Sequence, residues 1–161
     1  MTQSLTTLYD IVTHSPEETI AFGRKLAGDL RAPSVVLLEG DLGSGKTTLT
    51  KGVAAGLGAA REEEVTSPSF TLVHEYRARH QDIPGDGAGQ GTIVYHVDLY
   101  RVEGERETES LGLDELFNPS STVMIEWGGK LSALPPEPIV RIHLEVTGEN
   151  ERHIVVERSS E

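Results

Sequence analysis

The chain has 161 residues, of which 37% are hydrophobic and 25% are charged, as in an ordinary globular protein. Its formal net charge of −12 argues against direct binding to nucleic acid, because proteins that grip phosphate backbones cluster Lys and Arg. Cysteine is absent, which excludes disulfides, thiolate-bound metals and thiol nucleophiles. The length predicts a single domain over residues 1–161. With no secretory signal and no long apolar stretch in the sequence, we expect a cytoplasmic protein without a membrane partner.

The first part of the chain predicts alternating strands and helices. A strand is predicted over residues 5–13, and a capping box at Ser15 begins the helix that follows it. The run SVVLLEG, residues 34–40, is continuously apolar, which is typical of a strand buried on both faces of a parallel sheet. Residues 45–60 then predict a helix that weakens near Gly56.

The second part predicts mainly strands. Two strand-like segments, 65–76 and 91–102, flank a glycine-rich loop and are expected to pair antiparallel. Residues 105–117 predict a helix of about three turns, residues 121–127 another buried strand, and residues 139–159 a hairpin. This order of elements predicts an α/β fold: a P-loop NTPase-like sheet of mixed parallel and antiparallel strands, with helices on its faces.

One motif carries a specific chemistry. Residues 40–47, GDLGSGKT, fit the pattern G-x-x-x-x-G-K-[ST] and lie between the buried strand and the helix, as that motif requires. Its glycines let successive backbone N–H groups turn toward an anion at the start of the helix. Lys46 is predicted to bridge the β- and γ-phosphates, Thr47 to bind Mg²⁺ and Thr48 to contact the α-phosphate. The amides expected at the β-phosphate are those of Leu42, Gly43, Ser44, Gly45 and Lys46.

This motif is called a P-loop. A P-loop also needs an acidic residue beside Mg²⁺ and water, and the sequence contains two candidates. Glu126 ends the strand VMIE, and Asp98 ends IVYHVD, where it shares a strand face with His96. Each acid can serve the site, or can be a helix cap or a solvated group. His96 is interpreted as a structural polar residue. The segment TSPSF, residues 66–70, is either an ordinary turn or a loop near the γ-phosphate.

Motif content narrows the class of P-loop protein. The guanine-reading [NT]-K-x-D and the L-S-G-G-Q of ABC ATPases are both missing from the sequence. The motifs GDLGSGKTTLTKG, VTSPSFTLVHEY, YHVDLYR, LGLDELF and IEW, in this order and spacing, resemble those of the TsaE family, over about Thr13 to Trp127. TsaE is the ATPase component of bacterial tRNA threonylcarbamoyladenosine modification. The resemblance implies ATP and Mg²⁺ as cofactors, TsaB and TsaD as protein partners, indirect contact with tRNA, and hydrolysis that resets the complex between turnovers.

The resemblance also implies roles for individual residues. Lys46 is expected to act in catalysis with Asp98, the acid that supports hydrolysis. Thr47 and Glu126 are expected to bind the metal ion, and Trp127 to pack beside the nucleotide.

Further residues are implied at the edges of the site. Ser15 and Thr19 correspond to a segment near the adenine. Thr66 and Ser67 match a loop that senses the γ-phosphate and meets the partner, and the loop 77–91 is longer than is typical of the family.

Three functions remain open from the sequence. The first is a partner-activated ATPase that is slow alone, because no arginine is clearly placed as a finger, although Arg101 is a candidate. The second is a nucleotide-dependent binding module whose hydrolysis is incidental. The third is a small-molecule kinase, which the lack of an arginine-rich lid disfavours, Arg77 and Arg79 being the only close pair.

Overall fold

The computed structural model describes residues 4–30, 32–68, 71–77, 92–103, 105–131, 135–136 and 138–160. Most of the predicted loop 77–91 and the end of TSPSF lie outside these residues. The strands and helices, in chain order, are β1 (Ser4–Thr13), α1 (Pro16–Ala27), β2 (Ser34–Glu39), α2 (Lys46–Gly56), β3 (Val73–Arg77), β4 (Ile93–Asp98), α3 (Glu105–Ser110), β5 (Ser121–Glu126), β6 (Ile139–Val146) and β7 (Arg152–Ser160). Short 3-10 helices span Glu62–Glu64, Leu113–Leu116 and Gly128–Lys130.

The strands form one seven-stranded sheet in the order β1-β7-β6-β2-β5-β4-β3. Its centre is parallel, since β2 pairs with both β6 and β5, and β5 with β4. Its two edges are antiparallel, with β7 between β1 and β6, and β3 beside β4. The predicted mixed α/β fold is therefore confirmed. The parallel centre brings the carboxyl ends of β2, β4 and β5 to one edge of the sheet, where ligands bind in such folds.

Two apolar clusters cover the two faces of this sheet. One joins α1 and α2 to the sheet, with Leu26, Leu49 and Val53 packed on strand residues such as Val36 and Met124. The other cluster, on the opposite face, is built from the remaining alternate strand residues and the segment after β4: Val35, Leu37, Ile93, Tyr95, Val97, Leu99, Val102, Leu113, Val123, Ile125 and Ile139. Burial on both faces explains why β2, β4 and β5 are continuously apolar. Among the described residues, none of the helices has the length and apolarity that a membrane crossing requires.

Two predicted elements differ from the structure. The helix predicted over residues 105–117 is broken: α3 ends at Ser110, and a 3-10 turn follows, because Gly112 has a left-handed φ of +65° that an α-helix does not contain. The predicted strand 65–76 pairs only from Val73, because the chain before it makes a turn in which the Leu72 N–H donates to the Pro68 carbonyl. Strand β4 covers only Ile93–Asp98 of the predicted segment 91–102, and the other strands, with the hairpin turn near Gly148, follow the sequence prediction.

The two helices meet at glycines. A Cβ added at Gly52 of α2 would lie 2.0 Å from the backbone oxygen of Ile20 in α1, which no rotamer change relieves. We therefore expect Gly52→Ala to lower the free energy of unfolding by about 1–3 kcal/mol, despite the better helix propensity of Ala. Urea unfolding measures this, with Gly28→Ala as control, since the Cβ there comes no closer than 3.5 Å to its neighbours. Equal midpoints for the two variants would contradict the close helix contact.

Candidate functional site

A cavity of about 430 Å³ opens at the carboxyl edge of the parallel strands, beside the start of α2. This volume lies in the range of small-molecule sites. Three of the chain's 14 basic residues line it, so a strongly acidic protein concentrates positive charge here. The lining residues are Ser15, Pro16, Thr19, Leu42, Gly43, Gly45, Lys46, Thr47, Thr48, Ser67, Asp98, Tyr100, Arg101, Glu126, Asn150 and Arg152.

The glycine-rich loop between β2 and α2 forms one wall of the cavity. Gly43 and Gly45 have φ of +82° and +104°, which residues with a side chain rarely adopt. These conformations turn the backbone into the N-terminus of α2. A Cβ at Gly43 would meet no other atom within 4 Å, so this part of the loop borders open space. Ser44 is buried, and its Oγ has no hydrogen-bond partner among the described residues. The loop therefore has the open, donor-rich form of an anion cradle.

Lys46 is the buried cation of the site. Its Nζ donates a hydrogen bond of 2.6 Å to the Gly40 carbonyl and lies 3.8 Å from Glu126 Oε1. The same ammonium lies 4.3 Å from the centroid of the Trp127 ring, a cation–π distance. Trp127 adopts a left-handed φ of 63° directly after β5, and its ring packs against that of Tyr100. These contacts hold Lys46 at the junction of the P-loop and the two acidic strand ends.

The two candidate acids are neighbours in the sheet. Asp98 and Glu126 are register partners at the ends of the parallel strands β4 and β5, so both carboxylates project on the side of α2. Asp98 Oδ1 accepts a hydrogen bond of 2.9 Å from the Tyr100 N–H, which fixes its orientation. Glu126 Oε2 lies 2.5 Å from Nε2 of the fully buried His96. The predicted shared face of Asp98 and His96 is thus observed, and the site holds two oriented acids.

Arg152, at the start of β7, is a site residue that the sequence did not indicate. Its guanidinium donates to the carbonyls of Ser44 and Gly43, at 3.2 and 3.3 Å, and to carbonyls of the β6–β7 turn. It therefore ties the P-loop to the hairpin. No sequence motif predicts that an arginine at the start of a strand belongs to such a site. Arg152 reaches the P-loop only because the sheet has the order β7-β6-β2.

Most of the residues predicted for the site lie together in this cavity. At one end, Ser15 caps α1 by accepting from the Glu18 N–H, while Thr19 Oγ1 lies 2.7 Å from Thr13 Oγ1. Two residues predicted to bind the nucleotide, Ser44 and Trp127, are not among the described residues that line the cavity. Ser44 is buried in the loop, and the ring of Trp127 lies against the ammonium of Lys46.

The segment before β3 contacts both the cavity and the sheet. Ser67 lines the cavity. Thr66 is held against β3, since its N–H donates to the Tyr76 hydroxyl at 3.3 Å. A position for Ser67 beside the site favours the loop interpretation of this segment over an ordinary turn.

Comparison with known proteins identifies the family. The family model described as "Threonylcarbamoyl adenosine biosynthesis protein TsaE" matches residues 13–154. The chain belongs to the TsaE family. A relative from Bacillus subtilis, named tRNA threonylcarbamoyladenosine biosynthesis protein TsaE, is 40% identical over 142 residues, which cover 88% of this chain and 80% of the relative. A TsaE protein of Treponema pallidum is 34% identical, over 90% of this chain and 97% of its own length.

A solved structure has the same fold. The crystal structure of YdiB from Bacillus subtilis superposes with a TM-score of 0.66 and 31% identity, over 99% of this chain and 89% of the other. The family match begins at the end of β1 and ends within β7, so it includes the P-loop, both acidic strand ends and the hairpin that carries Arg152. The TsaE resemblance inferred from the sequence motifs is therefore confirmed.

Proposed function

We propose that this TsaE-family chain binds ATP with Mg²⁺ and hydrolyses it as a component of tRNA threonylcarbamoyladenosine biosynthesis, acting with TsaB and TsaD. The observation that carries the proposal is one cavity lined by the P-loop, Lys46, Thr47, Asp98 and Glu126. A cradle for phosphate, a threonine hydroxyl for Mg²⁺ and an acid for water are the parts that P-loop hydrolases share. The tRNA role is supported by the names of the relatives.

The triphosphate would lie along the loop at the start of α2. The backbone amides of residues 42–46 and the positive end of the helix favour negative charge there. Lys46 supplies a point charge for the β- and γ-phosphates, and Thr48 supplies a hydroxyl for the α-phosphate. Ser15 and Thr19 line the same cavity from α1, where they would flank the nucleoside.

The donor set fits Mg²⁺. This ion prefers oxygen ligands and is usually held by one or two carboxylates, with phosphates and water completing its shell. The cavity offers the Thr47 hydroxyl and the Glu126 carboxylate. The described residues hold no cluster of three or more acidic, His or Cys side chains that would form a complete metal cage. When bound, Mg²⁺ would neutralise charge on the phosphates, and Thr47 and Glu126 would hold it.

Hydrolysis requires an oriented water molecule. Asp98 is buried, lines the cavity and is fixed by the Tyr100 N–H, so its second oxygen can accept a proton from water or align it. The Trp127 ring lies 4.3 Å from the ammonium of Lys46, which is buried. The net charge of −12 supports an indirect role toward tRNA, with the nucleic acid bound by the partners, and we infer that the chain works in the cytoplasm, where tRNA is modified.

The proposal is tested by reconstituted tRNA modification. With TsaB and TsaD limiting, we expect threonylcarbamoyladenosine formed per complex to exceed one only when this chain and hydrolysable ATP are both present. A non-hydrolysable ATP analogue should hold the yield near a single turnover. Repeated turnover without the chain, or with the analogue, would contradict the proposed role.

A further inference from the structure

A buried histidine stands behind the acidic end of β5. His96 is fully buried in β4, where its register partner on β5 is Met124 and Val94 precedes it on the same strand face. Its Nε2 lies 2.5 Å from Glu126 Oε2, and its Nδ1 has no hydrogen-bond partner among the described residues. A carboxylate that binds a metal ion is ionised and only accepts hydrogen bonds, so in that role Glu126 is paired with the tautomer of His96 in which Nε2 carries the hydrogen and donates it. The imidazole thus makes one strong hydrogen bond, to Glu126.

This arrangement costs stability. A buried polar atom that lacks a partner loses its hydration without compensation, and an apolar side chain would avoid that loss at position 96. The bond to Glu126 therefore needs an explanation beyond packing. The two oxygens of the Glu126 carboxylate have different neighbours. Oε2 is held inward by His96, whereas Oε1 faces Lys46, 3.8 Å away at the cavity.

We propose that His96 is a positioning residue that locks Glu126 in the rotamer that presents Oε1 to a divalent cation of the nucleotide site. The inference rests on the proposed ATP and Mg²⁺ site and adds to it a specific support for one ligand. Hydrogen-bond partners of metal ligands typically contribute 10–100-fold to metal affinity. The positioning role requires a hydrogen-bond donor where His96 has Nε2. The side-chain amide of glutamine can place its nitrogen there. Asparagine is too short to do so, and leucine has no donor.

The chain supplies its own spectroscopic reporter. Trp127 is the only tryptophan, and its ring lies 4.3 Å from the ammonium of Lys46. A nucleotide that draws Lys46 toward its phosphates changes the charge above this ring, and with it the fluorescence. ADP affinity can therefore be measured directly in the absence and presence of Mg²⁺, and the ratio of the two dissociation constants gives the contribution of the cation.

The experiment compares His96→Gln, His96→Asn and His96→Leu in the full chain by ADP titration of Trp127 fluorescence. We expect the ADP affinity without Mg²⁺ to stay within a few-fold of the wild type in all three. The Mg²⁺-dependent gain should fall about 10–100-fold in His96→Asn and His96→Leu, and be retained in His96→Gln. Val94→Ala, two residues earlier on the same strand face, is the matched control for core destabilisation and should keep the gain.

The outcomes separate this inference from the function on which it rests. If the wild type binds ADP with a Mg²⁺-dependent gain and His96→Asn keeps that gain in full, or His96→Gln loses it as His96→Asn does, the positioning role is overturned. If the wild type binds no ADP, or gains nothing from Mg²⁺, the nucleotide and metal site itself fails, and the inference fails with it. Because glutamine and asparagine are both polar, their comparison stands even if the leucine variant does not fold.

Discussion

ATP hydrolysis by this chain is expected to be slow alone and to rise by about 10³–10⁵-fold when TsaB and TsaD bind, the factor that an arginine finger contributes in GTPases. The reason lies in the charges around the cavity. Lys46 is the one buried cation among the described lining residues, and Arg152 is committed to carbonyls of the P-loop and the hairpin turn. Arg101 lines the cavity and is exposed, where a bound partner can reach it or add a cation of its own.

The measurement is steady-state phosphate release with and without the two partners. Lys46→Ala should abolish the stimulation, because it removes the charge at the phosphates and leaves Glu126 without its nearest cation. Lys25→Ala is the matched control: it makes the same change on the exposed surface of α1 and should keep the stimulated rate. Equal rates with and without partners, at saturating ATP, would exclude partner activation.

The exposed surface near the cavity mouth is consistent with such a partner. Leu42, in the P-loop itself, is 66% exposed, and Tyr100 beside Arg101 is 43% exposed. Lys130 fixes the backbone of this segment by donating to the carbonyls of Tyr100 and Val102. Large exposed apolar side chains around the proposed nucleotide site are available to a protein that reads whether the site is filled.

The sequence predicted the parts of the site that depend on local pattern. The P-loop is eight consecutive residues, so its glycines, lysine and threonine can be read directly. Asp98 and Glu126 are distant in sequence, yet both end apolar strands. The carboxyl ends of parallel strands meet at one edge, so the sequence could indicate their meeting place, which the structure gives as a register pair.

What the sequence did not indicate depends on long-range order. Arg152 reaches the P-loop only because β6 lies between β2 and β7 in the sheet, and strand order is not encoded in the residues around position 152. Likewise, the Glu and Arg residues at 105–109 favour a helix that is predicted to continue through Gly112, where the structure turns into a 3-10 segment and Leu113 enters the core. The place of Arg152 and the burial of Leu113 both depend on contacts between distant parts of the chain, which the neighbouring residues do not encode.

Asp98→Asn is expected to separate hydrolysis from binding. The amide keeps the shape of the side chain and an oxygen for the Tyr100 N–H, but loses the charge and basicity that orient water. Partner-stimulated hydrolysis should fall about 10²–10⁴-fold, the usual contribution of a general base, while nucleotide affinity stays within a few-fold of the wild type. Stopped turnover with intact binding distinguishes a residue that acts on water from one that holds the nucleotide.

The same variant decides between the two leading functions. If hydrolysis drives the reset of the complex, Asp98→Asn should bind ATP and the partners yet support only a single round of tRNA modification. If the chain is a nucleotide-dependent binding module, the variant should sustain repeated rounds like the wild type. Asp114→Asn, at an exposed aspartate of the 3-10 segment, controls for the loss of one negative charge and should leave both rates unchanged. Because Asp98 lies beside Glu126 in the sheet, a loss of Mg²⁺-dependent binding in Asp98→Asn would instead assign it to the metal and leave the base to be sought elsewhere in the complex.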